Sequence, residues 1–281
     1  MNMKYKGIIT FDLDGTLIST KSSAKRAYIN AFKKTFNIYE INEPNFKGGV
    51  DLEILSNLCK RYGIELNSKN KKTFIDNYLK ILENESDFES WYVYENAHDF
   101  LVFLKNLGFL LVIVSGNYYE TGIFKLKKTY LDKYFEFLSF NDNERTRIEL
   151  MQKAMEFAKN NELKILAHFG DAYSDIISSI HFNITPFLFL PEIDEQLLFD
   201  LKKMLEVKLL VSDISMLESQ INSFYFINSS SINEMGLKID KSFLESSIRN
   251  NKNLFIFKSY KEIKDNFENT FNFNYINSGG N

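Results

Sequence analysis

The grouping of apolar residues limits the folds open to this chain more than any other feature. Short runs that are apolar almost throughout lie at Gly7 to Phe11, Phe109 to Val114, Leu163 to Phe169 and Phe187 to Leu190, with a weaker one at Phe135 to Phe140 and a last one at Val207 to Val211. A strand with one wet face alternates polar and apolar residues. A run without alternation predicts a strand covered on both faces, as in a parallel sheet. Between the runs, apolar residues fall at helical spacing. Phe100, Leu101, Leu104 and Leu107 share one face over 97–107, and Gly108 is placed to end that helix. Over 147–159 the stripe is Leu150, Ala154, Phe157 and Ala158. Strand–helix alternation of this kind predicts an α/β fold with a doubly wound parallel sheet (Rossmann-like) and right-handed crossovers. Ligands in such sheets bind beyond the carboxyl ends of the strands, so the chemistry is expected there.

The alternation stops between Ile18 and Glu95. Ala24, Ala27, Tyr28, Ala31, Phe32 and Phe36 form one helical stripe, Leu52, Leu55 and Leu58 a second, and Phe74, Tyr78 and Leu82 a third. That is too much chain for one crossover helix and predicts an all-helical insert. The expected organisation is therefore a core domain over 1–17 and 96–223, a helical domain over 18–95, and a C-terminal extension of uncertain structure over 224–281. Within the extension, Phe224 to Ile227 and Leu254 to Phe257 read as strands and Lys261 to Asn269 as a helix. The Asn-, Ser- and Gly-rich residues from Asn272 read as frayed. The extension is expected to be dispensable for chemistry but not necessarily for stability, since its two apolar runs should pack on the rest of the chain or on a second subunit.

Composition excludes several classes. The chain has 281 residues, 44% hydrophobic and 25% charged, in the range of a globular protein. A net charge of −3 argues against nucleic acid and against an anionic membrane surface as partners. No apolar stretch reaches the length of a membrane span. Cys59 is the single cysteine, so neither a disulfide framework nor a Cys-based metal site is available. The N-terminal residues run straight into a strand without a signal-peptide pattern, and a cytoplasmic location is expected.

The most specific chemical signal is Phe11-Asp12-Leu13-Asp14-Gly15-Thr16-Leu17 at the end of the first strand. Two aspartates spaced by one would share a face, and Gly15 permits a sharp turn after them. This stretch resembles the first motif of the haloacid-dehalogenase superfamily, in the branch of phosphoglycolate-phosphatase-like and β-phosphoglucomutase-like members that carry a helical cap between the first two motifs. Ser115, with Gly116 and Asn117, ends the next core strand where the family has its hydroxyl residue. Gly170-Asp171-Ala172-Tyr173-Ser174-Asp175 resembles the family's acidic cluster. The basic residue of the third motif falls on Arg145 or Arg147, where most relatives have lysine. The resemblance spans roughly residues 5–222.

The resemblance implies an enzyme, a Mg²⁺-dependent phosphoric monoester hydrolase. Asp12 would attack phosphorus and become an aspartyl-phosphate, and Asp14 would act as acid and then base. Ser115, Gly116 and Arg145 or Arg147 would hold the phosphoryl oxygens. Asp12, the Asp14 backbone carbonyl, Asp171 and Asp175 would form the metal site. The expected substrate is a small soluble phosphorylated metabolite, and the expected assembly a monomer or homodimer. A phosphomutase of the same cap type is an alternative, although its cap histidine has no counterpart between Ser19 and Tyr28. A non-catalytic binding protein of the same fold is another. Lys21, Lys25, Arg26 and Lys47 make the insert basic, which suits either a second anionic group on the substrate or ordinary solvated helix faces. His168 is expected to pack beside its strand, Cys59 to fill a helix interface, and Gly48-Gly49 to form a turn or a loop facing the substrate.

Overall fold

The computed structural model describes residues 5–88, 90–191, 209–211, 254–261 and 263–265. Strands β1 (Gly7–Phe11), β4 (Phe109–Tyr118), β5 (Phe137–Asn141), β6 (Ile165–Gly170), β7 (Thr185–Phe189), β8 (Leu209–Val211) and β9 (Leu254–Phe257) form one sheet in the order β5-β4-β1-β6-β7-β9-β8. Every pairing in it is parallel. The apolar runs are continuous because both faces are covered. Ile9, Phe11, Leu111, Ile113, Ala167 and Phe169 pack on one side with Phe100, Leu101 and Leu104 of helix α4 (Ala97–Asn106). Ile8, Leu110, Val112 and Val114 pack on the other with Leu150, Met151 and Ala154 of helix α6 (Arg147–Asn160).

Strand β1 is where the winding reverses: the chain first places β4 and β5 on one side of it, then β6 and β7 on the other. Asp12 follows β1, Ser115 lies in β4, and Asp171 follows β6. Three adjacent strands thus deliver these residues to one edge of the sheet, at the switch point where open α/β sheets bind ligands.

Helices α1 (Ser23–Phe36), α2 (Asp51–Arg61) and α3 (Ser68–Phe88) fill the interval between β1 and β4. They have an apolar cluster of their own, in which Ala27, Tyr28, Phe32, Leu55, Leu58, Phe74 and Leu82 are buried. Cys59 is buried in the same cluster and fills a helix interface as expected. A short antiparallel pair, β2 (Ile18–Ser19) with β3 (Tyr92–Val93), closes the stem where the chain leaves and rejoins the sheet. The apolar periodicity does not reveal this two-residue ladder.

The sheet reaches further along the chain than expected. Leu254–Phe257 is a strand, and it lies between β7 and β8 rather than beyond them. Phe257, Tyr260 and Ile263 are buried in the same cluster as Phe11 and Phe100, and burial of each such side chain contributes roughly 1.5–3 kcal/mol. The apolar run at 207–211 yields β8, but it does not complete the sheet by itself. Phe224 to Ile227 lies outside the described residues. Tyr260, Lys261 and residues 263–265 are helical, in keeping with the start of the expected last helix. Among the described residues no helix is long and apolar enough to cross a membrane.

Candidate active site

A cavity of about 460 Å³ opens between the carboxyl edge of the sheet and the helical insert. Asp12, Asp14, Gly15, Ser115, Gly116, Arg147 and Asp171 line it from the sheet side. Lys21, Lys25, Lys47, Gly48, Gly49, Asp51 and Tyr78 line it from the other.

Gly15 is needed at its position. Its φ is +81°, and a Cβ there would meet Asp171 Oδ2 at 2.2 Å. Only glycine lets the turn after β1 pass this close to the acidic cluster. Gly116 is confined in the same way from above, since a Cβ would meet the Gly49 carbonyl oxygen at 2.3 Å. The Gly48-Gly49 loop is therefore seated on the end of β4, and the Ser174 hydroxyl donates to Gly48 O at 2.8 Å.

The local chemistry of one helix start separates the two arginines. Thr146 caps α6: its hydroxyl accepts from Glu149 N, and the Glu149 carboxylate accepts from Thr146 N. This capping box makes Arg147 the first helical residue and aims it at the strand ends. Its guanidinium is 4% exposed and donates to Asp12 Oδ1 at 2.8 Å and to Val114 O at 3.1 Å, with Nε 3.3 Å from Asp175 Oδ1. Arg145 precedes the cap, is exposed, and acts electrostatically on Glu53 of α2 instead. The signature Thr146-x-x-Glu149 was readable in the sequence and would have chosen between them.

Asp12, Asp171 and Asp175 converge, one oxygen of each lying within 4.8 Å of the others. Burial, reinforced by Asp12 and Asp175, pushes the Asp171 carboxyl well above its ordinary range. Asp12 is also raised, burial first and Asp175 adding to it, while Arg147 and a hydrogen bond from Ser115 pull the other way. Burial pushes Asp175 up too, but Arg147, His168 and the Ala172 N–H outweigh it and hold Asp175 low. Two buried carboxylates and the half-buried Asp171 thus face one guanidinium. An all-oxygen donor set with negative charge left over fits a hard divalent cation.

His168 is buried, with Nδ1 2.8 Å from Thr10 Oγ1 and Nε2 3.4 Å from Asp175 Oδ1. It packs behind the cluster and does not line the cavity, as expected.

Asp14 is turned away from the acidic cluster. Its Oδ2 accepts from Asn117 Nδ2 at 2.7 Å and from Lys125 Nζ at 2.7 Å, and Thr20 Oγ1 stands 3.5 Å from Oδ1. Lys125 comes from helix α5 (Tyr119–Lys128) and lies outside every motif of the sequence. The same is true of Asp51, at the start of α2, whose Oδ2 accepts from Tyr118 N at 3.0 Å. Burial pushes the Asp51 carboxyl up to about 6. Tyr260 is a third unforeseen contributor: its buried hydroxyl donates to Thr16 O at 2.7 Å, bracing the turn after β1 from the C-terminal segment. Of the basic residues of the insert, Lys21, Lys25 and Lys47 border the cavity, whereas Arg26 pairs with Glu85 at 2.8 Å.

A sequence-family model described as haloacid dehalogenase-like hydrolase matches residues 9–188. The chain belongs to the haloacid dehalogenase-like hydrolase family. The matched span begins at β1 and ends in β7, so it contains every cavity-lining residue named above. Three solved structures illustrate the likeness of fold. A hydrolase from Pseudomonas syringae aligns at a TM-score of 0.57 and 15% identity, over 94% of this chain and 98% of that one. CbbY from Rhodobacter sphaeroides, in complex with phosphate, aligns at 0.53 and 11% over 65% and 85%. A predicted phosphoglycolate phosphatase from Haemophilus somnus aligns at 0.51 and 20% over 66% and 85%. No match is found among curated proteins.

Proposed function

We propose that this hydrolase is a Mg²⁺-dependent phosphatase that cleaves a small phosphate monoester through a phosphorylated Asp12. The observation that carries the proposal is the setting of Asp12. Its carboxylate lines the cavity between a phosphate-compatible guanidinium, Arg147, and two further carboxylates, the half-buried Asp171 and the buried Asp175. The phosphate reported with CbbY and the activity named for the Haemophilus somnus protein agree with this reading. The residues lining the cavity from 18–95 support treating that segment as a cap domain over the site.

Asp12, Asp171, Asp175 and the backbone carbonyl of Asp14 would hold the ion. Bound there, Mg²⁺ would offset the repulsion between an anionic nucleophile and an anionic phosphoryl group. The chain's own groups do the rest. Arg147 and Ser115 hold and neutralise phosphoryl oxygens, Arg147 in the planar fashion suited to such groups. Asp12 attacks phosphorus as the bond to the leaving oxygen breaks. Asp14 gives the leaving oxygen a proton, then takes one from the water that cleaves the aspartyl-phosphate. The Gly48-Gly49 loop and the helices behind it keep bulk water from the intermediate.

Release of phosphate from 4-nitrophenyl phosphate, with and without Mg²⁺, tests the proposal. Wild type should turn over only with the cation, and Asp12→Asn should be inert. Turnover by Asp12→Asn above a trace would refute the assignment of the nucleophile.

A further inference from the structure

Lys125 is an expensive residue to place where it stands. Helix α5 buries Thr121, Gly122, Lys125 and Leu126 on one face, and the Lys125 side chain is 3% exposed. A buried ammonium costs several kcal/mol unless it is paired, and even paired it seldom stabilises more than an apolar residue of the same size. The fold therefore has little use for it. Its ammonium reaches two groups that border the cavity: Asp14 Oδ2 at 2.7 Å and Asn117 Oδ1 at 2.6 Å. Asn117 in turn donates to Asp14 Oδ2 at 2.7 Å and to Ser115 Oγ at 3.0 Å. Asp51 of α2 faces the same ammonium.

This arrangement treats the two oxygens of Asp14 differently. Oδ2 has both acceptor directions taken, by Asn117 and Lys125. Among the described residues, Oδ1 has only the 3.5 Å approach of the Thr20 hydroxyl. Asp14 is one-third exposed, towards the cavity. We infer that Lys125 and Asn117 are positioning residues that fix Asp14 with Oδ1 presented to the leaving-group oxygen. The inference rests on the phosphatase reading above. In the first step the Asp12 oxygen–phosphorus bond forms, the phosphorus–leaving oxygen bond breaks, and the proton on Asp14 Oδ1 passes to the leaving oxygen. In the second, water's oxygen bonds phosphorus, the Asp12 bond breaks, and water's proton returns to Oδ1. Lys125 exchanges no proton in either step. An alkoxide is a poor leaving group and needs that proton as the bond breaks; a nitrophenolate departs without it. A misplaced acid therefore harms one class of substrate more than the other.

The test compares kcat/KM, which reports the phosphoryl-transfer step, for glycerol 2-phosphate and 4-nitrophenyl phosphate in wild type, Lys125→Met and Lys125→Arg, all with Mg²⁺. Lys125→Met should lower the alkyl-to-aryl ratio by about 10²-fold, the scale of a displaced general acid, and Lys125→Arg should restore part of it. A merely structural Lys125 would lower both substrates alike and leave the ratio unchanged; that result overturns the inference while the phosphatase reading stands. A wild type inert on both esters would remove both. Methionine matches the lysine stem in length, so the variant should fold. If it does not, Asn117→Ala removes the other ligand of Oδ2, and the same ratio then decides.

Discussion

Replacing Arg147 with methionine should expose how much of the site's stability rests on one cation. The side chain is buried against Asp12 at 2.8 Å and Asp175 at 3.3 Å, and the variant would leave those two carboxylates and Asp171 facing one another. Removing one partner of a buried ion pair costs about 3–5 kcal/mol. A domain of this size loses about 2–4 °C of melting temperature per kcal/mol, so the midpoint should fall by roughly 6–20 °C in EDTA. Saturating Mg²⁺ should narrow the gap, because an ion held by the same carboxylates replaces part of the missing charge and stabilises by mass action. The pH dependence has a definite sign. The folded Asp175 carboxyl is held below its ordinary value by Arg147 and His168. Its stabilising contribution is present above the unfolded carboxylate range and is lost as pH falls through the depressed folded value. The variant lacks most of that contribution, so its deficit should be large near neutrality and shrink in acid. Calorimetric melts with EDTA and with Mg²⁺ across pH measure all three effects. A variant melting within about 2 °C of wild type in EDTA, or with the same deficit with and without Mg²⁺, would refute the reasoning. Arg145→Met is the control: the residue is exposed and outside the cavity, so its effect on stability should stay within about 0.5 kcal/mol.

Asp171→Ala should shift the Mg²⁺ midpoint for activity far more than Ser115→Ala, since only Asp171 belongs to the acidic cluster; an unchanged midpoint in Asp171→Ala would contradict its assignment as a ligand. Asp51→Asn addresses a carboxyl raised by burial to about 6. Such a group destabilises the fold above that pH and is relieved as pH falls towards its unfolded value near 4. Urea midpoints of the variant should therefore gain on wild type at about pH 8 and not at about pH 4. Tyr260→Phe removes the hydroxyl that satisfies the buried Thr16 carbonyl, and urea denaturation should register a loss of about 1–3 kcal/mol. A chain ending at Ser223 loses β9 from between β7 and β8 and Tyr260 from beneath Thr16, so it should lose cooperative unfolding in urea.

The parts of this molecule that could be read from sequence are those whose signal is local. Ile8 to Phe11 is a strand because an unbroken apolar run has no other economical burial, and Asp12-x-Asp14-Gly15 follows within the same few residues. The helices of the insert were readable because each carries its own apolar stripe. The contributors that escaped attention act across long sequence separations or go against the local pattern. Lys125 sits on the face that also buries Thr121, Gly122 and Leu126. A lysine at i+4 from a buried position was visible as a helix-phase anomaly, but nothing local named Asp14 as its partner. Asp51 could be taken as the acidic first-turn residue that helix dipoles favour, and only the packing of α2 against β4 brings it to Tyr118 N.

The C-terminal strand shows where local reading ends and topology takes over. Leu254 to Phe257 is apolar enough to be recognised as a strand, yet periodicity cannot say beside which strand it pairs, because parallel register is set by partners distant in sequence. Its insertion between β7 and β8 has a consequence for the site. It delivers Tyr260 beneath Thr16, on the turn whose first residues are Asp12 and Asp14. The matched family span ends at residue 188. The turn that carries the proposed nucleophile is thus braced by a residue from outside that span, and substitutions in this C-terminal segment should reach the chemistry through the backbone of Thr16 without touching a substrate.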